Sequence, residues 1–278
     1  MAFYIPTIAA PYLMKELESR LVIGKLATNI SDSVEDIQWH GNEITFPVYV
    51  RAAVADVVAP KGSVTPTEID GSSTTAPIEH IAASVKWHQD SLRTGGRVLA
   101  DMGLRDLADA MALKLDSRIM NQAINNSTLR FACSKADEIY EDELEAGLGL
   151  FGDKQDVGEY SGILIHSKLF HCFLEMVGFT TGTMTYTTPN NGIVRGQCAG
   201  YYRGIPIYLT SNGTMVGSEC KTILLKRGGL GYALKKSVEF RESYDNTTFY
   251  TTVTADTYSA EKVLDSDKVA VIGKTISE

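Results

Sequence analysis

Five histidines, four cysteines and one glycine cluster are the residues of this 278-residue chain whose types could carry chemistry. His166 and His171 stand about 140° apart round a helix, so they do not share the face that an i, i+4 metal pair shares. Glu79 and His80 with Asp90 sketch an acid–base set, but a lone carboxylate–imidazole pair is ordinary on a surface. Gly228-Gly229-Leu230-Gly231 has the look of a phosphate loop. No helix with the required spacing follows it, so it reads as a turn between strands. Cys133, Cys172, Cys198 and Cys220 are scattered without a C-x-x-C pair, which predicts reduced packing thiols and no zinc knuckle. Trp39 and Trp87 also read as packing residues. No G-x-S-x-G elbow, H-E-x-x-H helix or Walker loop is present. These residues predict no catalytic constellation, no cofactor and no metal.

Elements that might have positioned a site are instead arranged around one rod. From Gly95 to Asn126, Leu104, Leu107, Ala108, Met111, Leu115 and Ile119 recur at three- and four-residue steps and share one helical face. Thr94 is the expected N-cap, and Asn125-Asn126-Ser127 the stop. A rod of this length, on the order of 45 Å, needs cover along its apolar stripe, and the rest of the chain has to supply it.

Ahead of the rod, residues 1–10 read as an arm lying on a neighbouring surface. Pro11 to Val22 then reads as a short amphipathic helix ended by Gly24. Residues 43–50 alternate Ile44, Phe46, Val48 and Val50 onto one face, and Pro47 marks the strand as an edge. Residues 52–88 form a long hairpin, two β-prone arms with a turn-rich tip too poor in apolar residues to bury itself. After the rod, residues 135–147 form an acidic helix read as a solvated face. Residues 161–166 form a buried strand, and Ser167 caps a helix ending at Gly178. Residues 179–200 read as an exposed loop. Further strands follow at 204–209, 222–225, 238–242, 249–255 and 269–272, with a turn at Asp245-Asn246.

No apolar run is long enough to span a bilayer, no signal peptide is evident, and no membrane partner is expected. A net charge of −8 argues against gripping nucleic acid over a broad face. The fold class expected is α+β.

This order of elements resembles the major capsid proteins of tailed bacteriophages, with their Hong Kong 97 fold. The residues carrying the likeness are Gly41 to Pro47 entering the hairpin, Ala108 to Asp116 in the rod, Gly200 to Ile207, and Leu224 to Glu239. The resemblance implies a spine helix, an extended β-hairpin loop, and peripheral and axial domains. On this chain it implies an N-terminal arm and first strand at 1–51 and an extended loop at 52–88. The peripheral domain with the spine would lie at 89–129, the axial domain at 130–225 and the returning peripheral strands at 226–278. It also implies that no scaffolding segment is fused ahead of the arm.

The function implied is structural and not enzymatic: self-assembly of pentamers and hexamers into an icosahedral shell around double-stranded DNA, which would lie on the inner face without sequence-specific contacts. Separate scaffold, portal and decoration proteins would be further partners. The location implied is the virion capsid, assembled in the host cytoplasm. Subunit contacts are expected at Tyr4 and Ile5 in the arm and at Val57, Val58, Lys61 and Ile78 in the loop. The loop's apolar residues would each contribute about 1.5–3 kcal/mol when fully covered by a neighbour. Some relatives cross-link through a loop lysine, and Lys61 lies in that region, but no asparagine partner or assisting carboxylate is identifiable. An alternative of the same fold is an encapsulin-like nanocompartment shell enclosing cargo enzymes. An enzyme with an unrecognised site and a tail-associated binding protein are further alternatives.

Overall fold

The apolar repeat is one helix of 38 residues, Gln89–Asn126, which at 1.5 Å per residue runs about 57 Å. The computed structural model describes residues 17, 20–31, 38–40, 42–48, 72–134, 137–180 and 198–276. Before the long helix come α1 (Ile23–Leu26), β1 (Thr28–Asn29), β2 (Gln38–His40), β3 (Glu43–Val48), β4 (Ser72–Pro77) and β5 (Glu79–His88). The long helix is α2. After it come β6 (Leu129–Ala132), α3 (Glu141–Gly149), β7 (Tyr160–Ile165), α4 (Phe170–Glu175), β8 (Phe179–Thr180), β9 (Cys198–Tyr202) and β10 (Ile205–Leu209). The last five are β11 (Met215–Val216), β12 (Glu219–Lys226), β13 (Leu230–Asp245), β14 (Tyr250–Val263) and β15 (Val269–Thr275).

The described strands form three sheets, two of which pack on α2. One has the order β1-β13-β14-β5, a second β6-β15-β12-β7-β10-β9-β8 with β11 beside β12, and a third β2-β3-β4. In β5, Ile81, Ala83, Val85 and Trp87 alternate onto one face and pack with Leu104, Leu107, Ala108, Met111 and Leu115 of α2. That period of two is what a strand covered on one side requires. In the large sheet the apolar runs are continuous, because both faces are covered. Ile163, Ile165, Leu224, Ala270 and Ile272 point into a core with Leu144, Leu148 and Phe173 of α3 and α4. Their neighbours Leu164, Ile223, Leu225, Val269 and Val271 point the other way, onto Ile119, Met120, Ala123 and Ile124 of α2. Successive residues of one strand thus feed two different cores.

The structure revises several expectations. Helix α2 is capped by His88, whose Nδ1 accepts from Asp90 N at 3.2 Å. Thr94 lies inside the helix, its hydroxyl donating to Asp90 O. Strand β3 is central and not an edge. The described part of β2 reaches only Thr45, so Pro47 meets a partner strand on the β4 side alone among the described residues. Strand β4 pairs with β3, whereas β5 pairs with Tyr250–Ser259 of β14 in the first sheet. The turn-rich tip and first arm at 49–71, the arm at 1–10, residues 11–16 and the loop at 181–197 lie outside the described residues, as do the side chains of Trp39 and His40.

Gly24 sits within α1 instead of ending it. It is placed there because the amides of Val22 and Gly24 donate to the Asp116 carboxylate of α2, at 2.8 and 3.0 Å. Asp116 is 3% exposed. Burial pushes its carboxyl up, and the backbone amides of Val22, Gly24 and Ile23 pull the other way. The aspartate therefore substitutes for an N-cap that the chain before α1 does not provide.

Asp116→Ala leaves buried amides without an acceptor and should lower stability by about 1–3 kcal/mol. Asp116→Asn, which keeps an acceptor oxygen, should recover most of that loss. Denaturant unfolding of the two variants beside the parent chain checks this, and equal midpoints for all three would remove Asp116 as the anchor of the N-terminal segment.

Candidate functional site

Residues that might have formed a catalytic set are not brought together. Glu79 pairs with Arg118, and Asp90 stands at the start of α2 beside His88. His80 stacks on Tyr258 with ring centroids 4.5 Å apart and has Asp256 at 3.6 Å. His166 is an N-cap, its Nδ1 accepting from Lys168 N at 3.0 Å. This task was expected of Ser167, which instead shares a hydrogen bond with Ser211. His171 Nδ1 lies 2.9 Å from Lys168 O. Gly228, at φ +73, turns the chain from β12 into β13. All four cysteines are free thiols.

An open cleft of about 220 Å³ is lined by Glu138, Tyr140, Glu141, His171, Cys172 and Glu175. Burial pushes the Cys172 thiol up, the opposite of what a nucleophilic cysteine needs. Among the described residues no cluster of His, Cys, Asp and Glu has the grouping of a metal site, and no helix is long and apolar enough to cross a membrane.

Polar chemistry is instead spent on joining elements. Arg118 of α2 holds Glu261 of β14 through two nitrogens, with Nη2 at 2.7 Å, and also reaches Glu79 of β5. Lys274 of β15 is fully buried and meets Glu143 of α3 at 2.8 Å. Glu143 also accepts from Tyr140 N and Ser134 N. The acidic helix is therefore not a wholly solvated face, because its Glu143 neutralises a cation that enters the core on an apolar strand. Lys226 is buried between the rings of Phe151 and Tyr160, each 4.9 Å away, with Glu159 at 3.2 Å.

One such network shapes an outer end of the large sheet. Glu141 accepts from Val177 N and Gly178 N, each at 3.3 Å, and from Tyr202 OH at 3.1 Å. Arg203, in the left-handed turn between β9 and β10, pairs with Glu145 and lies 3.9 Å from Glu141. A carboxylate at the start of α3 thus ties down two loops at once. It leaves the Val177 side chain 95% exposed and Leu174 and Tyr201 largely exposed on the same end. Apolar groups held rigidly in solvent suit contact with another protein better than catalysis.

In sequence, the chain matches no family model and no curated protein. In structure, it is similar to the capsid of Ralstonia phage GP4, with a TM-score of 0.66 at 12% identity over 94% of this chain and 91% of that one. It is similar to a structure of Mycobacterium phage Che8, with a TM-score of 0.63 at 14% identity over 91% and 90% of the two chains. The encapsulin of the holo-SrpI complex from Synechococcus elongatus also matches, with a TM-score of 0.58 at 13% identity over 87% and 86%. The chain has the Hong Kong 97 fold. Helix α2 is the spine of that fold.

Of the subunit contacts expected in this Hong Kong 97 chain, Tyr4, Ile5, Val57, Val58 and Lys61 lie outside the described residues. Ile78 is half-buried against the subunit's own cluster of Ile30, Ile44, Phe46, Ala76, Ala233 and Ala260. Strand β15 pairs with β6 and β12, so Val269–Thr275 belongs to the large sheet and not with the returning strands β13 and β14. The sequence reading missed Asp116, Glu143, Lys274 and the Glu141 network. The available signal for one of them was a lysine closing an otherwise apolar run, Val269 to Lys274.

Glu141→Ala should release the 176–180 turn without unfolding the subunit. Losing about 1–2 kcal/mol of local hydrogen bonding predicts amide exchange at Val177 and Gly178 faster by about tenfold or more. Unchanged exchange at both amides would mean that the turn is held by something other than this carboxylate.

Proposed function

We propose that this chain is the major capsid protein of a tailed bacteriophage, a structural subunit that assembles into an icosahedral shell around double-stranded DNA. The observation that carries the reading is the fold shared with the GP4 capsid over nearly the full length of both chains. In this reading the sheet β1-β13-β14-β5 with the first half of α2 is the peripheral domain. The large sheet with α3 and α4 is the axial domain, and its Val177 end faces the pentamer and hexamer axes. The arm and the 49–71 segment reach neighbouring subunits through Tyr4, Ile5, Val57, Val58 and Lys61. Scaffold, portal and decoration proteins are the further partners, the virion capsid is the location, and assembly takes place in the host cytoplasm.

Shell formation suits this chain physically. Many identical contacts, each modest, become strong together because every subunit is held by several neighbours at once. A net charge of −8 keeps an inner wall from adhering to the packed polyanion. A second reading, a nanocompartment shell enclosing cargo enzymes, draws on the similarity to the SrpI encapsulin. The contents of purified particles separate the two: nucleic acid supports the virion, and a co-purifying enzyme supports the compartment.

Replacing residues 52–70 by a short Gly/Ser linker spares β4 and should leave a folded subunit that no longer closes into particles. Circular dichroism and negative-stain electron microscopy of the expressed chain check the two halves of this expectation. Normal particles from the shortened chain would sink the neighbour-reaching role of the segment.

A further inference from the structure

The turn that leaves β10 contains an asparagine followed by a glycine, Asn212-Gly213. Its frame is well fixed. Thr210 N donates to Ile165 O at 3.0 Å, Thr214 Oγ1 to Thr210 O at 2.8 Å, and Lys221 N to Thr214 O at 2.7 Å. Asn212 N donates to Thr210 Oγ1 at 3.3 Å. The Asn212 side chain reaches out of the turn, and its Nδ2 donates to Leu113 O of α2. Gly213 lies against the same helix at φ +69, where a Cβ would stand 3.3 Å from Met120 and 3.6 Å from Ser117. Glycine meets both demands at the lowest cost.

An asparagine before a glycine is a pair whose side chain and backbone can react with each other. With no Cβ in the way, the glycine nitrogen can reach the carbon of the side-chain amide and close a five-membered ring. Two features leave that route open here. Gly213 N donates no hydrogen bond among the described residues. Asn212 and Gly213 are only half-buried, so water reaches them.

We propose that Asn212-Gly213 is a self-modification site, at which the subunit loses ammonia and releases the turn from α2. Gly213 N attacks Asn212 Cγ and gives its proton to solvent. The Cγ–Nδ2 bond breaks, and the nitrogen leaves as ammonia with a proton taken from water. One water molecule then opens the resulting succinimide at either of its two C–N bonds, giving aspartate at position 212 or its isoaspartyl isomer. Water is the one co-reactant, and nothing is oxidised or reduced. The consequence follows from donors and acceptors. Nδ2 is the group that reaches Leu113 O, whereas an ionised carboxylate can only accept. Two acceptors then face each other where a hydrogen bond stood, and the new charge acts locally on the turn. Every step lies within one subunit, so the inference goes beyond the shell reading and does not depend on it.

The test holds the full chain in warm, mildly alkaline buffer and follows the peptide containing residue 212 by mass spectrometry. That peptide should gain about one dalton with time and separate into aspartyl and isoaspartyl forms. Asn212→Gln keeps an amide donor but needs a slower six-membered closure, and should show no gain over the same period. A free synthetic peptide spanning Leu209–Val216 sets the reference rate. Conversion of the free peptide without conversion of the folded chain would overturn the proposal, because the fold would then be protecting the pair. Asn212→Asp supplies the product directly. In that variant, amide exchange at Asn212 and Lys221 should be faster by about tenfold or more. Exchange at the parent rate would overturn the release of the turn, even in a chain that does convert.

Discussion

The structure depends on covering one helix along its whole length. An isolated amphipathic helix of about 57 Å gains little stability from its own hydrogen bonds and much from the apolar face it buries. Leu104, Leu107, Ala108, Met111 and Leu115 are covered by β5, β13 and β14, and Ile119, Met120, Ala123 and Ile124 by the large sheet. At 100° per residue, the mean direction of the second set is turned by roughly 130° from the first. The two sheets therefore sit at different azimuths around a single rod, and neither can be shifted without uncovering part of it. This is why β5, from before the rod, and β15, from the end of the chain, both return to it.

Buried charges mark the places where elements separated in sequence are joined. Arg118 links α2 to β14 and β5, Lys274 links β15 to α3, and Asp116 links α2 to the segment entering α1. Such pairs seldom add net stability over well-packed apolar residues, because desolvation offsets most of their attraction. Removing one partner is another matter, at about 3–5 kcal/mol for an uncompensated buried charge. Register follows from that asymmetry: a slip of β15 by one residue would carry Lys274 away from Glu143 and reverse which of Val269 to Ile272 face each core.

Period-based features were legible in the sequence. The 3.6-residue stripe of α2, the continuous apolar run of β7 and the glycine turn before β13 follow from residue types alone, and the resemblance to capsid proteins supplied the order in which to assemble them. The misreadings share a cause, which is tertiary context. An imidazole can cap a helix when its Nδ1 is free to accept, so His88 and His166 outcompeted the hydroxyls of Thr94 and Ser167. Pro47 stands in a central strand, where its backbone is opposite Ser73 of β4. The sequence charges of residues 138–145 look alike, yet only Glu143 points at a buried lysine. No local pattern distinguishes these cases.

The same distinction bears on how a shell could be built from this subunit. Ala76 and Phe46 are buried within one chain, and so are the clusters on either side of the large sheet. The apolar groups left exposed among the described residues are divided and include Val98, Met102 and Leu113 on α2, Leu174 and Val177 at one end of the large sheet, and Phe249 with Tyr244 and Tyr250 at the tip of the β13–β14 hairpin. Separate small patches on a finished fold suit a particle whose subunits each touch several neighbours through contacts weak enough to break and reform. A single large greasy face would trap the first wrong pair. In the proposed shell, folding and assembly would draw on different sets of residues, so that the core is settled before the shell closes.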